Sequence, residues 1–395
     1  MLDHHDTPLT TARLARKLAP HLASLTIVFL VTGASMATVP LFVSDELHFG
    51  PVLIGFISGA QFIAAIAFRI AAGRHSDRNG PKRAVLVGLA LLALAGLVCW
   101  IASLIRTTEE LAAAMLLVGR VLHGAAESFI IVGAQTWALA IAGPARAALV
   151  LGWAGTALFL ALALGAPFGG TLYALTDFGV VAVFMTIVPL LVLGAVSLIP
   201  GSAVSPGQPL NFSTVLKRVY MQGFCIALAG LGYGVVLSFG VVLYAERGWA
   251  PTWAALTLYS AFLIIARIAI GSLPDRMGGT KAAVISLFVQ VVGLLLLALS
   301  NYQLLGFLGA SLAGFGYAIV YPSLGREALR QVSPENGGTA LAVFSAFALL
   351  AFGVGGPLLG LLADHYGTGA IFLFAAGTSA TAIIVLSLNG RAKTA

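Results

Sequence analysis

Apolar residues run along this chain in long unbroken stretches, not in the short stripes of a soluble helix. A helix needs about 20 apolar residues to cross the hydrocarbon core of a bilayer. Such stretches fall near 21–42, 52–72, 84–105, 111–133, 147–170, 178–199, 219–244, 253–272, 282–300, 303–325, 337–362 and 369–388. Their ends carry glycine, proline and charged residues, which punctuate helices. The pattern predicts an all-α membrane protein of twelve transmembrane helices. No stretch alternates polar and apolar residues as a membrane β-strand must, which excludes a barrel. The first stretch follows Arg13, Arg16 and Lys17, as a secretory leader would. A leader's apolar part is roughly 7–15 residues, so this longer one is expected to stay as the first span.

Composition agrees. Of 395 residues, 59% are hydrophobic and 9% charged, against about 25% charged in a soluble domain. Lipid is the solvent that fits. The net charge of +7 does not mark a nucleic-acid binder, because the basic residues sit in short clusters between spans. With both termini inside, the inside segments hold Arg13, Arg16, Lys17, Arg74, Arg78, Lys82, Arg83, Arg146, Lys217, Arg218, Arg276, Lys281, Arg326, Arg330, Arg391 and Lys393. The outside loops hold only Arg106 and Arg247, beside the acids Asp45, Glu46, Glu109, Glu110, Asp177, Glu246 and Asp364. Loop basicity of this kind predicts cytoplasmic N- and C-termini. Cys99 and Cys225 stand alone inside apolar stretches and read as small fillers.

The longest connection, from about Pro200 to Lys217, is rich in proline, glycine and serine and divides six spans from six. The expected organisation is an inside segment 1–20, a six-helix bundle 21–199, a linker 200–218, a second bundle 219–388 and a tail 389–395. A self-match supports two related halves. Arg69-Ile70-Ala71-x-Gly73-x-x-x-Asp77-Arg78-x-Gly80 returns as Arg267-Ile268-Ala269-x-Gly271-x-x-x-Asp275-Arg276-x-Gly278, at a constant offset of 198 (271 − 73). A looser echo links Gly165, Pro167, Gly169 and Gly170 with Gly356, Pro357 and Gly360, offset 190 at the proline (357 − 167). Duplicated halves around a central site are a recurring transporter plan.

The segment GRHSDRNGPKR, Gly73 to Arg83, resembles the signature loop of the major facilitator superfamily. His75 and Ser76 depart from the family's usual small apolar residues, and the second copy lacks the basic end. LLVGRVLHGAAES, with Arg120 and Gly124, resembles the family's fourth-span motif. GAPFGG resembles its glycine-proline motif of antiporters and exporters, interrupted here by Ala166. Asp45 in PLFVSDELHFG, Gln61, and YPSLG at Tyr321–Gly325 are similar to the twelve-span drug and sugar efflux branch, arabinose-efflux-permease-like group. The resemblance covers essentially the whole chain. It implies two pseudo-symmetric six-helix bundles, alternating access and a cell inner membrane location. It further implies proton-coupled efflux of a drug-like or sugar-like solute by a monomer without cofactor.

Individual residues sort by this frame. Gly73, Asp77, Arg78, Gly80, Lys82, Arg83, Asp275 and Arg276, with Arg69 and Arg267, read as two conformational latches at the inside face. The bland alternative is solvated topology loops, with the two span arginines snorkelling to the interface. Glu127 is the one carboxylate well inside a span, where a charged group costs about 2.5–3.5 kcal/mol on insertion scales. Arg120, His123 and Glu127 fall on one stripe of the fourth span. The resemblance makes that span cavity-lining, so Glu127 is the expected proton carrier, with His123 beside it in the coupling group and Arg120 either modulating it or contacting an anionic solute. The alternative is a neutral, hydrogen-bonded Glu127 that packs helices. His123 and Glu127 also have metal-ligand spacing, but no third ligand is near, and no metal is expected.

Gln61, Gln135, Trp137, Tyr233, Tyr259, Gln290, Tyr317 and Tyr321 are candidate cavity residues, each of which lipid anchoring or helix packing could also explain. Pro167 and Pro357, beside Gly165, Gly169, Gly170 and Gly356, should bend their helices. No nucleophile elbow, zinc-protease motif or phosphate loop occurs, so neither an enzyme nor direct use of ATP is expected. Proton antiport of a small organic solute is the leading expectation. Uptake or facilitated diffusion of a sugar or organic acid is the alternative within transport, and a non-transporting membrane receptor or membrane-embedded enzyme the alternative outside it. One Glu, one Arg and one His in the cavity argue against a highly charged solute.

Overall fold

The computed structural model describes residues 11–142, 147–201, 212–332 and 337–392, and all its regular elements there are helical. The first half holds α1 (Thr11–Leu41), α2 (Pro51–Asn79), α3 (Pro81–Leu104), α4 (Glu109–Ala142), α5 (Ala147–Leu175) and α6 (Phe178–Ser197). The second holds α7 (Phe212–Glu246), α8 (Ala254–Ile270), α9 (Leu273–Met277), α10 (Gly279–Leu299), α11 (Gln303–Tyr317), α12 (Val320–Leu329), α13 (Gly337–Tyr366) and α14 (Thr368–Ala392). Among the described residues, 11 helical stretches are long and apolar enough to cross a membrane, and α8, at 17 residues, supplies the twelfth crossing. Most of the linker, the Arg146 turn and the last residues of the tail lie outside the described residues.

Three expected spans change shape. The first continues past α1 as a π-helical turn, Phe42–Glu46, which puts Asp45 and Glu46 on the helix end instead of in a loop. The eighth stops at Ile270, and a short helix, α9, carries the repeated Asp-Arg pair. The tenth breaks between α11 and α12. Pro322 is the cause: it has no N–H to offer the carbonyl of Ala318, four residues earlier, so the helical ladder fails there.

Two glycines shape the repeated loops. Gly80 (φ 89°, ψ 150°) and Gly278 (φ 87°, ψ 149°) end one helix and begin the next in the same left-sided conformation, which side chains other than glycine's avoid. The backbone there is duplicated as closely as the sequence.

The packing of the two halves matches helix for helix. In the first, α1 lies on α5, α2 on α4, and α3 on α4 and α6; in the second, α7 lies on α13, α8 on α11, and α10 on α11 and α14. The glycine crossings fix the register. A Cβ on Gly124 would strike the Gln61 carbonyl, and one on Gly314 the Tyr259 carbonyl. Gly88 faces Ala126 as Gly316 faces Ser286, and Gly119 faces Ala95 and Cys99 as Gly309 faces Gly293 and Leu297. In every pair the α2–α3 residues are offset by 198 (259 − 61, 286 − 88, 297 − 99) and the α4 residues by 190 (314 − 124, 316 − 126, 309 − 119). The prolines at offset 190 therefore belong to the same duplication. The eight-residue change, 198 − 190, falls between the third and fourth spans of the second half.

The halves meet along two seams, α2 on α13 and α5 on α8. Pro167 and Pro357, each inside its helix, leave the carbonyls of Ala163 and Gly353 without a helical donor. Those carbonyls face across the seams. Thr257 Oγ1 donates to Ala163 O at 3.3 Å, and Gly353 O lies 2.5 Å from where a Cβ of Gly59 would stand. Further glycines let the backbones touch, Gly55 on Gly356 and Gly360 on Pro51, while Gly170 makes room for the Trp253 side chain. These contacts lie toward the face away from the chain termini, where α2 and α8 begin. Around the outside, apolar side chains such as Ile268, Leu304 and Leu191 are exposed, as lipid contact requires.

Candidate functional site

The helix α4 carries the charged residues of the first half, and its Gly124 brings it against α2. At that crossing Gln61 Nε2 donates to Glu127 Oε2 at 3.0 Å, with Gln61 0% and Glu127 5% exposed. Ser128 on the next position donates to the Ala65 carbonyl at 2.5 Å. Glu127 makes no ion pair among the described residues; the nearest charges are those of Arg69 on α2 and Arg120 one helix stretch away. Gln61 Oε1 has no hydrogen-bond partner.

Arg120 and His123 turn the other way, to α1. Arg120 Nη1 donates to Ser35 Oγ at 2.7 Å and Nη2 to Met36 Sδ at 3.2 Å, while Nε is unpartnered. His123 Nε2 lies 2.8 Å from Thr32 Oγ1. The single hydroxyl proton of Thr32 goes to the Val28 carbonyl at 2.8 Å, so Nε2 must carry the proton and donate. Nδ1 then has no partner. The expected stripe is thus divided: Glu127 reaches α2, and Arg120 and His123 lock α4 to α1. The three positions span only about 60° of the helix; what separates Arg120 from Glu127 is the rise of roughly 10 Å between them, which sets them beside different neighbours.

In the second half the equivalent crossing is aromatic. By the 190 and 198 offsets, Tyr317 stands where Glu127 stands and Tyr259 where Gln61 stands. The rings of Tyr233 and Tyr317 stack at 5.4 Å, 4° from parallel, with Tyr259 at 5.6 Å and Phe352 at 4.9 Å from Tyr233. The Tyr259 hydroxyl is buried without a partner. Phe62 on α2 packs edge-on to Phe352 at 5.3 Å, and Phe159 on α5 lies 6.5 Å from Tyr233. The aromatic cluster therefore bridges the two halves.

Arg69 and Arg267, expected with the latch loops, interact with residues of other helices. Arg267 Nε donates to Ala318 O at 3.3 Å, the carbonyl that Pro322 leaves free, and its guanidinium lies 4.6 Å over the Phe159 ring. Tyr233, Tyr317 and Tyr321 are within electrostatic reach of Arg267, and Glu127 and Tyr321 within reach of Arg69.

The loop residues keep to their loops. Asp275 pairs with Arg326 on α12 at 3.0 Å, and Arg326 also donates to the Pro274 carbonyl. Glu327 accepts from the backbone N–H of Gly279 at 3.1 Å, a carboxylate on the N-terminus of α10. Lys82 Nζ donates to the Ser197 carbonyl at 2.7 Å. Asp77, Arg78 and Arg83 are exposed, and Asp77 makes no ion pair among the described residues. Gln290, expected in the cavity, donates to the Ala229 carbonyl at 2.9 Å and so braces α10 to α7. Trp137 is buried and Gln135 half-buried on α4. Among the described residues no three His, Cys, Asp or Glu side chains gather as metal ligands do.

Sequence reading missed Thr32, Ser35 and Met36 on α1 and Arg326 with Glu327 on α12. The polar trio Thr32, Ser35 and Thr38, all buried, was a signal: three hydroxyls in a lipid-length span need partners inside the protein. Phe159 and Phe352 gave none, since a phenylalanine in a span reads as lipid-facing.

Two six-helix bundles joined by two seams, with a buried site of few charges between them, define a multi-pass solute transporter. The chain belongs to the Major Facilitator Superfamily, whose family model matches residues 22–249 and 222–394. It is 35% identical over 387 residues to the uncharacterized MFS-type transporter STM4428 of Salmonella typhimurium, covering 98% of each chain. It is 33% identical to the uncharacterized MFS-type transporter YhhS of Escherichia coli strain K12, covering 90% of this chain and 88% of that one. Its fold matches the nucleoside transporter NupG with a TM-score of 0.75 at 14% identity, covering 94% and 98% of the two chains. It also matches a bacterial homolog of the human lysosomal transporter Spinster, inward-facing and unoccupied, with a TM-score of 0.72 at 12% identity over 96% of each. These relatives make the protein a secondary transporter of the membrane, not an enzyme.

Proposed function

We propose that the protein moves a small organic solute by alternating access coupled to protons, with Glu127 as the proton carrier. One observation carries this reading: Glu127, the only buried carboxylate among the described residues, lies against a neutral amide donor, with no ion pair there to hold it charged. Such a group can be neutral in one access state and ionised in the other, as rocking of the halves changes its access to water. The solute would lie between Glu127 and the aromatic cluster of the second half. The loops at Asp77 and Asp275 would act as latches on the terminal face, which the basic loops make cytoplasmic. The halves, 21–199 and 219–388, would rock as bodies about the proline-bent seams, one monomer being the working unit.

The glycine-proline motif around Pro167 favours export in exchange for protons as the direction. A second reading, uptake of an organic acid together with a proton, is favoured by Arg69 standing beside Glu127. Purified protein in proteoliposomes tests both. Solute efflux under an inward and then an outward proton gradient should differ, with the sign giving the direction. Glu127→Gln should keep solute exchange between equal pools while losing gradient-driven accumulation. Full gradient-driven transport by Glu127→Gln would remove Glu127 from the mechanism.

A further inference from the structure

We infer that the solute carries an anionic group, a carboxylate or its equivalent, received by Arg69 and Arg267 from the two halves. This rests on the reading of the space between the bundles as the solute site, and goes beyond it in naming the solute's charge.

The two guanidiniums come from one duplicated motif, at positions 198 apart (267 − 69). Arg267 crosses to the first half, its guanidinium over Phe159 of α5, and both arginines are within electrostatic reach of Tyr321 on α12. Neither forms an ion pair among the described residues. Arg267 spends one donor on the Ala318 carbonyl and lays its face on Phe159, which leaves four N–H groups. No hydrogen bond to Arg69 is found among the described residues. Arg120 does not share this role, because Ser35 and Met36 hold it inside the first bundle.

Two positive charges against one carboxylate is an unbalanced site in a low-dielectric setting. A guanidinium taken from water is stable there only beside an opposite charge or a full set of acceptors. A solute carboxylate offers both, in the bidentate geometry that arginine matches. The side chains around Arg267 are Phe159, Tyr233, Tyr317 and Tyr321, which suits an apolar or planar body beside the charge. The sparse charge legible in the sequence argues against a highly charged solute; a single negative charge met by Arg69 and Arg267 is compatible with that.

Binding, measured without any gradient, tests the inference. Purified protein in detergent is titrated by calorimetry with a panel of aromatic and aliphatic monocarboxylates, each paired with its own carboxamide. Carboxylates should bind roughly tenfold or more tighter than their amides. Arg69→Gln and Arg267→Gln should erase that preference, while Lys281→Gln, an exposed charge outside the site, should keep it. Should either arginine variant fail to elute as folded protein, Arg69→Lys or Arg267→Lys keeps the charge and should retain a weaker preference. Equal binding of acid and amide, or no binding by any acid, overturns the inference and leaves the proton role of Glu127 standing. Loss of gradient response in transport with the acid preference intact would sink the proton reading and leave the anion site.

Discussion

Gly124 and Gly314 hold the same place in the two halves: each lets its helix rest on a neighbouring backbone carbonyl, that of Gln61 or that of Tyr259. The contact is with backbone, which cannot rotate away. Gly124→Ala and Gly314→Ala should therefore each force the helices apart, at about 1–3 kcal/mol of overpacking. Thermal unfolding in detergent should show both variants melting earlier than the parent. Gly377→Ala, where nothing lies within 4 Å of the added atom, should melt no earlier. Parent-like melting of Gly124→Ala would mean that the crossing is looser than drawn.

The matched loops make a second prediction. Gly80 and Gly278 sit at φ 89° and 87°, in a region where a side chain costs on the order of 1–3 kcal/mol. No atom lies near an added Cβ on Gly278, so conformation alone would be at work there. Gly278→Ala and Gly278→Asn should both lower the melting temperature, because ψ 149° lies outside the αL well that asparagine tolerates. Parent-like melting of both would mean that this backbone relaxes at no cost.

Much of this frame was legible in the sequence because lipid leaves few solutions. A bilayer demands long apolar helices with satisfied backbones, so twelve runs of hydrophobicity became twelve crossings. The Asp77 and Asp275 motifs, copied residue for residue, announced the duplication. What was hidden was register: the 190 offset at Pro167 and Pro357 looked loose until Gly124 and Gly314 showed it to be shared by three crossings. The site was legible in part. Glu127 stood out as a lone acid, and Gln61 as a polar residue in a span, but not that one binds the other across 66 positions. Arg69 and Arg267 stand beside the latch motif in sequence, yet Arg267 bonds the Ala318 carbonyl and lies over Phe159, neither of them near it in the chain.

The seams bear on motion. Gly50 and Asp364 lie at the face away from the termini, where a Cβ on Gly50 would be 3.5 Å from Asp364 Oδ1. If the halves rock, this end must open once per cycle. A Gly50→Cys, Asp364→Cys pair, in a protein with the buried Cys99 and Cys225 changed to alanine, should cross-link on oxidation. Transport in proteoliposomes should stop on cross-linking and return with a reductant. Undiminished transport by fully cross-linked protein would refute opening at this end.

Coupling between proton and solute has a sign that the site geometry sets. The charged or titratable groups facing Glu127 are Arg69 on α2, Arg120 on its own helix and Tyr233 on α7, beside the neutral Gln61. An ionised Glu127 competes with a solute carboxylate for Arg69; a protonated one does not. Proton and organic anion should thus strengthen each other's binding, by at least about fivefold if the coupling is of ordinary size. Carboxylate affinity should rise as pH falls over the range in which Glu127 takes up its proton. Glu127→Gln, which mimics the protonated form, should bind at the acid-side affinity at every pH. This cooperation favours movement of both in one direction, so the same titration weighs uptake against exchange. Carboxylate binding that weakens in acid, in a solute that itself stays ionised, would reverse the sign and restore exchange as the favoured mode.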